Sequence, residues 1–268
     1  MNRIAQAFDR DENKKLIAFI TGGDPNIEMT RKLIIEMVRA GVDIIEIGIP
    51  FSDPAAEGPI IERANMRGIA SGTTVNHLFE MVRDLRKTIQ IPILFMTYAN
   101  LIYAYGKEKF MKNCALAGID GIIVPDLPLE EMGEFKSVGR QYNILQISML
   151  APTSTERIEK IVSDAEGFLY CVSSLGVTGM RSALEVTIGD LIEKVDRKLP
   201  CAIGFGISTP VQAREMSKLA DDVIIGSAIV NLIEEHGEDA ASPVAAFIKA
   251  VRKELDLSGV ENNERATY

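Results

Sequence analysis

The sequence has few of the residues that build disulfide frameworks and metal sites. Its 268 residues include only three cysteines, Cys114, Cys171 and Cys201, and no two of them form a Cys-x-x-Cys pair. This spacing indicates neither a disulfide scaffold nor a cysteine-ligated zinc site, and it predicts reduced thiols. The two histidines, His77 and His236, lie outside any motif. We therefore expect neither histidine acid/base catalysis nor a histidine-ligated metal.

Positive charge and long apolar runs are also scarce. The chain has 29 Lys and Arg against 38 Asp and Glu, a formal net charge of −9. An acidic surface repels polyanions, which argues against nucleic acid as a partner, so an anionic small molecule would need a local binding device. No stretch approaches the roughly 20 apolar residues of a membrane span, and the N-terminus lacks the apolar core of a secretion signal. We expect a cytoplasmic protein with no membrane partner.

Short apolar, β-branched runs alternate with amphipathic segments along the whole chain. Eight such runs predict parallel strands covered by helices, so the expected fold class is α/β, a single (β/α)8 TIM barrel over residues 1–268. We expect an extra N-terminal helix within residues 1–10, a short helix after strand 8, and a frayed tail from Leu257. The expected strands are Leu16–Thr21, Asp43–Ile47, Ile93–Met96, Gly121–Val124, Leu145–Met149, Gly167–Val172, Cys201–Phe205 and Asp222–Ile225.

The second predicted strand carries a glutamate inside an apolar run. Glu46 lies between Ile45 and Ile47, where burying an ionised carboxylate is costly unless it is protonated, paired or catalytic. The Gly/Pro-rich loop that follows adds two more carboxylates, Asp53 and Glu57. Because the chemistry of such barrels lies where strands end, Glu46 is the first candidate for acid/base catalysis. The alternative is a structural glutamate satisfied by Tyr170 or by a backbone N–H.

Three other predicted strands end in polar loops. Asp-Pro pairs and adjacent glycines also start turns, so Asp24 and Asp126 have either a turn role or a site role. The loops are Thr21-Gly22-Gly23-Asp24-Pro25, Thr97-Tyr98-Ala99-Asn100 and Pro125-Asp126-Leu127-Pro128.

The last two predicted strands end in small residues. Gly206 follows the seventh strand, Gly226 and Ser227 follow the eighth and open a helix, and Gly179 lies on the sixth loop. Backbone N–H groups and a helix N-terminus at this place in a barrel bind phosphate without Lys or Arg. The sequence therefore predicts a site for a phosphorylated metabolite, although close helix–strand packing also selects small residues.

These motifs, in this order, resemble those of the tryptophan synthase alpha subunit family. The matching stretches cover nearly the whole chain, and the Glu-x-Gly-Ile-Pro-Phe-Ser-Asp-Pro string is highly specific. They are Phe19–Pro25, Glu46–Pro54, Tyr98–Asn100, Pro125–Pro128, Gly176–Gly179, Gly204–Ser208 and Gly226–Val230. The resemblance implies a lyase that cleaves indole-3-glycerol phosphate to indole and glyceraldehyde 3-phosphate by a retro-aldol reaction in tryptophan biosynthesis.

The resemblance also implies roles for individual residues. Glu46 and Glu57 correspond to the two catalytic carboxylates, and Tyr170 to a tyrosine near the first of them; its alternative is a half-buried core tyrosine. An apolar slot for the indole and the phosphate-binding loops supply the substrate contacts, although the apolar residues are also ordinary core types. The expected substrate-binding residues are Phe19, Ile61, Met96, Thr178, Gly179, Phe205, Gly206, Gly226 and Ser227.

Two residues depart from the family pattern. Glu57 stands where the family has aspartate, which moves the carboxylate outward by one methylene, about 1.5 Å. Ser174 stands where many members carry arginine before the Gly-Val-Thr-Gly loop, so the closure of a lid that brings Thr178 toward the acidic loop is affected.

The expected partner is the tryptophan synthase beta subunit, in an alpha2beta2-type complex. In the family this association uses the acidic second loop and its neighbours, so Asp53, Pro54 and Asn100 serve either the interface or the fold. Pyridoxal phosphate belongs to the beta subunit, and no cofactor is implied for this chain. Two alternatives stay open. One is another phosphate-binding barrel enzyme of amino-acid biosynthesis, and the other is a weakly active, ligand-binding subunit that activates its partner.

Overall fold

The structure is a computed structural model that describes residues 2–9, 13–151, 154, 157–172, 192, 195, 199–204 and 206–265. Of the residues singled out above, Ser174, Thr178, Gly179 and Phe205 lie outside the described part of the chain. None of the described helices is both long enough and apolar enough to cross a membrane.

Nine parallel strand segments form one sheet in the described chain, in the order β5-β4-β3-β2-β1-β9-β8-β7-β6. This confirms the predicted α/β barrel, since every strand pairs with its sequence neighbours except β5 with β6, and β1 also pairs with the last strand. The strands are β1 Leu16–Thr21, β2 Ile44–Gly48, β3 Ile93–Met96, β4 Gly121–Ile123, β5 Leu145–Gln146, β6 Ser148–Leu150, β7 Leu169–Val172, β8 Cys201–Gly204 and β9 Asp222–Ile225.

The segments β5 and β6 together occupy the place of the fifth barrel strand. One residue, Ile147, separates them, and its N–H still donates to the carbonyl of Ile122 on β4 at 2.9 Å. Because β5 pairs with β4 and β6 pairs with β7, the pairing continues around the ring. The nine segments therefore correspond to the eight strands expected from the sequence.

Helices cover the outside of the sheet. Within the described residues they are α1 Arg3–Asp9, α2 Ile27–Arg39, α3 Pro59–Ala70, α4 Val75–Leu85, α5 Ala99–Tyr105, α6 Lys107–Ala117, α7 Met132–Gln141, α8 Ile158–Asp164, α9 Pro210–Ser217, α10 Ser227–His236 and α11 Ala241–Arg265, with a 3-10 turn at Gly237–Asp239. The predicted N-terminal helix is α1, and the predicted short helix after the last strand is α10.

Two apolar layers follow from the alternation of side chains along the strands. Residues of one parity, such as Ile17, Leu94 and Ile123, fill the barrel interior, while those of the other parity pack under the helices. Glu46 shares the inward parity of Ile44 on the same strand. The pleat of β2 therefore directs its carboxylate into the barrel.

The first helix closes the bottom of the barrel. Ile4 of α1 is fully buried in the interior layer, and a Cβ on Gly121 at the start of β4 would lie 3.1 Å from its side chain. The preceding residue, Asn2, fixes this helix by donating from its side chain to the Asp120 carbonyl at 2.9 Å and accepting from the N–H of Ile4 at 2.9 Å. The N-terminal helix thus supplies one apolar plug for the barrel.

The tail prediction was wrong. The chain stays helical through Arg265 in α11 rather than fraying from Leu257, because the helix keeps an inward face. Leu255 is buried, and the buried hydroxyl of Ser258 bonds that of Ser217 on α9 at 3.0 Å. The strand predicted from Gly167 begins two residues later, at Leu169, since Gly167 has a positive φ of 72°.

Replacing Ile4 with alanine tests the plug. Removing a buried aliphatic side chain leaves a cavity, so we expect Ile4→Ala to lower the free energy of unfolding by about 3 kcal/mol in chemical denaturation. Leu116→Ala on the exposed face of α6 is the control and should change it by less than about 0.5 kcal/mol. Equal effects of the two substitutions would contradict the assignment of α1 as a plug.

Candidate active site

A cavity of about 850 Å³ opens at the carboxyl ends of the barrel strands. It is the place where this fold collects residues from separate loops. Eight of the residues selected from the sequence line it: Phe19, Glu57, Ile61, Met96, Tyr170, Gly206, Gly226 and Ser227. Glu46 lies beneath the surface of this cavity, since it is fully buried and is not among its described lining residues.

Glu46 is a buried carboxylate without a polar partner. On β2 it lies between Phe19 of β1 and Leu94 of β3. Neither of its oxygens has a hydrogen-bond partner among the described residues, so neither Tyr170 nor a described backbone N–H satisfies it, contrary to the structural alternative. Burial, and secondarily the charge of Glu57, raises the pKa of Glu46 to about 8. The group therefore carries a proton at neutral pH.

Tyr170 lies within electrostatic range of Glu46. It points inward from β7, and its pKa is raised well above the usual value by burial and by the charge of Glu46. Space for its ring comes from Gly204 on the neighbouring strand, where a Cβ would lie 3.0 Å from the ring. The buried acid therefore lies close to a phenol that lines the cavity.

Glu57 provides the second carboxylate of the site. It lies on the loop between β2 and α3 and lines the cavity. Burial raises its pKa, the nearby hydroxyl of Tyr98 lowers it, and the charge of Glu62 adds to the rise. Tyr98 also accepts a hydrogen bond from the N–H of Ala56 at 3.1 Å. Sequence reasoning noted the Tyr98 loop without giving this residue a role. A tyrosine directly after a strand, beside an acidic loop, was the available signal.

Phe19 forms a wall of the cavity because two glycines leave space for its ring. A Cβ on Gly48 of β2 would lie 2.7 Å from the ring, and one on Gly226 would lie 3.2 Å from it. Together with Ile61 and Met96, Phe19 gives the cavity an apolar side. Packing alone thus explains why Gly226 is a glycine, while its backbone N–H has no hydrogen-bond partner among the described residues.

The N-terminus of α10 opens onto the same cavity. Gly226 is its N-cap and has no side-chain cap, while Ser227 is its first residue. Gly206, with a positive φ of 47° and no atom within 4 Å of where a Cβ would stand, lines the cavity beside them. Unpaired N–H groups at a helix start attract anions through partial positive charge. This part of the cavity suits a phosphate group.

A network of ion pairs connects one loop and two helices beside the site. Arg67 of α3 binds the buried carboxylate of Asp24 through two nitrogens, at 2.7 and 2.8 Å, and contacts Glu234 of α10 at 3.1 Å. Arg63 pairs with Glu234 at 2.7 Å. Asp24 is thus an ion-pair residue, whereas the sequence left open a turn role. The network ties the β1 loop and α3 to α10.

Asp126 connects two further loops. Its carboxylate accepts from the N–H of Ala99, the first residue of α5, at 2.9 Å. A carboxylate at a helix start satisfies one free donor there, so Asp126 acts as a cap supplied by a neighbouring loop. Within the part of the chain that the structure describes, no cluster of His, Cys, Asp or Glu has the composition of a metal site.

Fold and cavity together define a (β/α)8-barrel protein with a half-apolar pocket at the carboxyl ends of its strands, lined by the carboxylate of Glu57. A model of the family described as tryptophan synthase alpha chain matches residues 5–258. The chain belongs to this family.

Individual relatives agree with the family match. The tryptophan synthase alpha chain of Alkaliphilus metalliredigens is 44% identical over 91% of this chain and 93% of its own length. A crystal structure of the alpha subunit from Legionella pneumophila has a TM-score of 0.89 at 37% identity, covering 96% of this chain and 99% of that one. A chain of the tryptophan synthase a2b2 complex from Pyrococcus furiosus matches with a TM-score of 0.84 at 33% identity, covering 89% of this chain and 98% of that one.

Removing Arg67 tests the buried ion pair. Arg67→Met leaves the carboxylate of Asp24 buried without its partner, so we expect a loss of about 3 kcal/mol in unfolding free energy at pH 8. The loss should shrink as the pH falls, because protonating Asp24 removes the unpaired charge. Denaturation at pH 8 and pH 5 measures it. The control is Arg39→Met, which breaks an exposed pair with Glu36 and should change little. A loss that does not depend on pH would contradict this explanation.

Proposed function

We propose that this chain cleaves indole-3-glycerol phosphate to indole and glyceraldehyde 3-phosphate, as the alpha subunit of tryptophan synthase. The observation that carries the proposal is the pair of carboxylates at one cavity: Glu46, buried and protonated at neutral pH, and Glu57, on the loop above it. A retro-aldol cleavage of this substrate needs an acid at indole C3 and a partner for the ring N–H. Two carboxyl groups of unequal environment meet both needs.

Glu46 acts first as an acid and then as a base. Its protonated carboxyl gives a proton to C3 of the indole ring, and Glu57 stabilises the positive charge that appears at N1–H. The C3–C3′ bond then breaks, and its electron pair restores the aromatic ring. At the same time C3′ becomes the carbonyl carbon of glyceraldehyde 3-phosphate, and its hydroxyl gives its proton to Glu46. This transfer regenerates the acid. Tyr170 orients Glu46 or contacts the substrate beside it.

The remaining contacts hold the two ends of the substrate. Phe19, Ile61 and Met96 pack against the indole ring, and the sequence adds Phe205 to this slot. Gly206, Gly226 and Ser227 bind the phosphate through backbone N–H groups. Thr178 and Gly179 complete the set as part of a loop that closes on the substrate. The support is that the described members of this set line one cavity.

The working enzyme is a complex with a tryptophan synthase beta subunit, which receives the indole and carries the pyridoxal phosphate. This proposal rests on the family and on the solved a2b2 complex of a relative from Pyrococcus furiosus. The chain itself acts as a single barrel domain without a cofactor of its own. Its place is the cytoplasm, together with the other steps of amino-acid biosynthesis.

A second candidate function is a weakly active subunit that binds ligand and activates its partner. The substitution of Glu57 for the family aspartate favours it, because a displacement of about 1 Å in a catalytic group can lower a rate about a hundredfold. Cleavage by the isolated chain, measured with and without the beta subunit, separates the two functions.

Substitution of the two glutamates tests their roles. We expect Glu46→Gln to lose more than about 99.9% of cleavage, since the amide neither donates the C3 proton nor removes the hydroxyl proton. Glu57→Asp should be as active as the parent or more active, while Glu57→Gln should be slower by about a hundredfold. In the parent, kcat should fall above about pH 8 as Glu46 loses its proton. Indole release measured between pH 6 and 9.5 gives all of these values.

The opposite ranking would overturn the assignment. If Glu46→Gln stayed active while Glu57→Asp lost its activity, Glu57 and not Glu46 would transfer the protons. Circular dichroism of each variant controls for folding. Glu46→Gln should also be more stable than the parent at pH 9, because an ionised Glu46 is buried without a partner.

Complex formation is tested by sedimentation. We expect the isolated chain to be a monomer and to form a complex with two copies of each chain when mixed with a beta subunit from the same source. Adding the beta subunit should raise kcat for cleavage at least tenfold, as closure of the loops excludes water. An unchanged sedimentation coefficient on mixing would contradict the proposed partner.

A further inference from the structure

Two helices that carry proposed substrate contacts begin at the cavity. Helix α3 begins at Pro59, two residues after Glu57, and its N-cap Gly58 lines the cavity. Helix α10 begins at Ser227, in the part of the cavity that suits a phosphate group. The proposed substrate, with its indole N–H at Glu57 and its phosphate at Ser227, contacts the starts of both helices. The distance between the helices therefore sets the distance between the two binding points.

One carboxylate joins these two helices. Glu234 of α10 accepts from Nε and Nη2 of Arg63 on α3 at 2.7 and 2.8 Å, and Nη1 of Arg67 lies 3.1 Å from its Oε1 atom. Two parallel bonds between a guanidinium and a carboxylate fix both their distance and their orientation. Glu234 lies about two helical turns after Ser227 and is not among the described residues that line the cavity. Any effect of Glu234 on the site is therefore transmitted through the helices.

The second half of α3 is held separately, against the β1 loop. Arg67 binds the buried carboxylate of Asp24 through two nitrogens, at 2.7 and 2.8 Å. The hydroxyl of Ser71, which follows the helix, donates to the carbonyl of Gly23 at 3.0 Å. These contacts lie far from the end of the helix that adjoins Glu57. Among the described side-chain hydrogen bonds of α3, the one between Arg63 and Glu234 is the nearest to Glu57.

The exposure of this pair separates a positioning role from a role in stability. The side chains of Arg63 and Glu234 are 52% and 29% exposed, and ion pairs at this exposure contribute little to the free energy of unfolding. Removing the pair therefore leaves the protein folded. Catalytic geometry is more sensitive, because a displacement of about 1 Å in a reacting group can lower a rate about a hundredfold.

We propose that Glu234 is a positioning residue, which holds the start of α3 and the adjoining Glu57 at a fixed distance from the phosphate-binding start of α10. The contact that does so is its two-bond pair with Arg63. The proposal rests on the catalytic role of Glu57 and on the phosphate site at Ser227 proposed above. Without the pair, α3 moves about its anchor at Asp24, and Glu57 shifts relative to a phosphate that stays bound.

The distance between the two helices is measured without any assay of activity. Nitroxide labels on Met66→Cys of α3 and Glu235→Cys of α10 report it by pulsed electron paramagnetic resonance. Both positions are exposed and the three native cysteines are buried, so labelling is selective. We expect Glu234→Gln, which keeps the shape and removes the charge, to widen the distance distribution about 1.5-fold, because α3 is then held mainly at its far end. An unchanged distribution would overturn the proposal.

Glu166→Gln is the matched control. Glu166 pairs with Arg140 of α7 at 2.6 Å, the two side chains are 17% and 58% exposed, and neither residue is among those described as lining the cavity. This variant also removes the charge of a glutamate that pairs with an arginine of a separate helix. We expect it to leave both the distance distribution and kcat unchanged. If both variants have equal effects, the effect is a general one on the fold and the proposal is wrong.

Kinetics and phosphate binding give the second test. In Glu234→Gln we expect kcat for indole release to fall about tenfold with KM changed less than twofold, because the carboxylate of Glu57 is needed most in the transition state. The dissociation constant of inorganic phosphate, measured by phosphorus-31 NMR, should change less than twofold, since the start of α10 is intact. An unchanged kcat would contradict the proposal. So would a loss of phosphate affinity as large as the loss of kcat, because Glu234 would then support α10 itself.

A double substitution tests whether the effect comes from the ion pair. Arg63→Met alone should lower kcat about fivefold, less than Glu234→Gln, because Arg67 still reaches Glu234. In the Glu234→Gln background, Arg63→Met should change kcat less than twofold, since its partner is already absent. Losses that multiply in the double variant would show that the two residues act independently, and the pair would not be the cause.

The measurements separate this inference from the proposed function. If the parent does not cleave indole-3-glycerol phosphate, the proposed function fails, while the label distances still decide whether Glu234 fixes the spacing of α3 and α10. If the parent cleaves the substrate and Glu234→Gln leaves both the distances and kcat unchanged, the positioning role is wrong and the proposed function stands.

Discussion

Parallel pairing between the first and the last strand is the constraint on which the rest of the structure depends. It pairs Leu16, Ile17 and Ala18 of β1 with Val223, Ile224 and Ile225 of β9 and so closes the sheet. Once the sheet is closed, all carboxyl ends meet at one rim. The loop with Glu57 and the helix start at Ser227 then line a common cavity, although about 170 residues separate them in the sequence.

Closure also decides the state of Glu46. The inward parity of β2 places this carboxylate in the barrel interior, where no described polar group reaches it and its pKa rises to about 8. The fold therefore loses stability as the pH rises from the ordinary pKa of glutamate toward 8, because over this range the carboxyl ionises in the unfolded chain but stays protonated in the folded one. A protonated acid at neutral pH is what proton delivery to a ring carbon requires, so the same burial disfavours stability and favours catalysis.

Much of this fold was predictable from the local pattern of apolar and polar residues. The runs Leu16–Thr21, Ile93–Met96 and Asp222–Ile225 became strands with the predicted bounds, because buried parallel strands have continuous apolar sequence. The helical tail from Leu257 was missed because its polar composition gives no local sign that Ser258 is buried against α9. The ion-pair role of Asp24 was also not predicted from the sequence. Its partner Arg67 lies 43 residues away, and no local signal distinguishes a turn aspartate from a buried ion pair.

By itself, the sequence determined the family, the alternation of strands and helices, and the residue types at each strand end, because periodicity and motif strings are local properties. The tertiary structure alone decided which of these residues share an environment. It left Glu46 without a partner, brought Tyr170 within its field, and set the hydroxyl of Tyr98 against the loop of Glu57. Burial and contact across strands depend on closing the barrel, and that closure joins residues no local pattern connects.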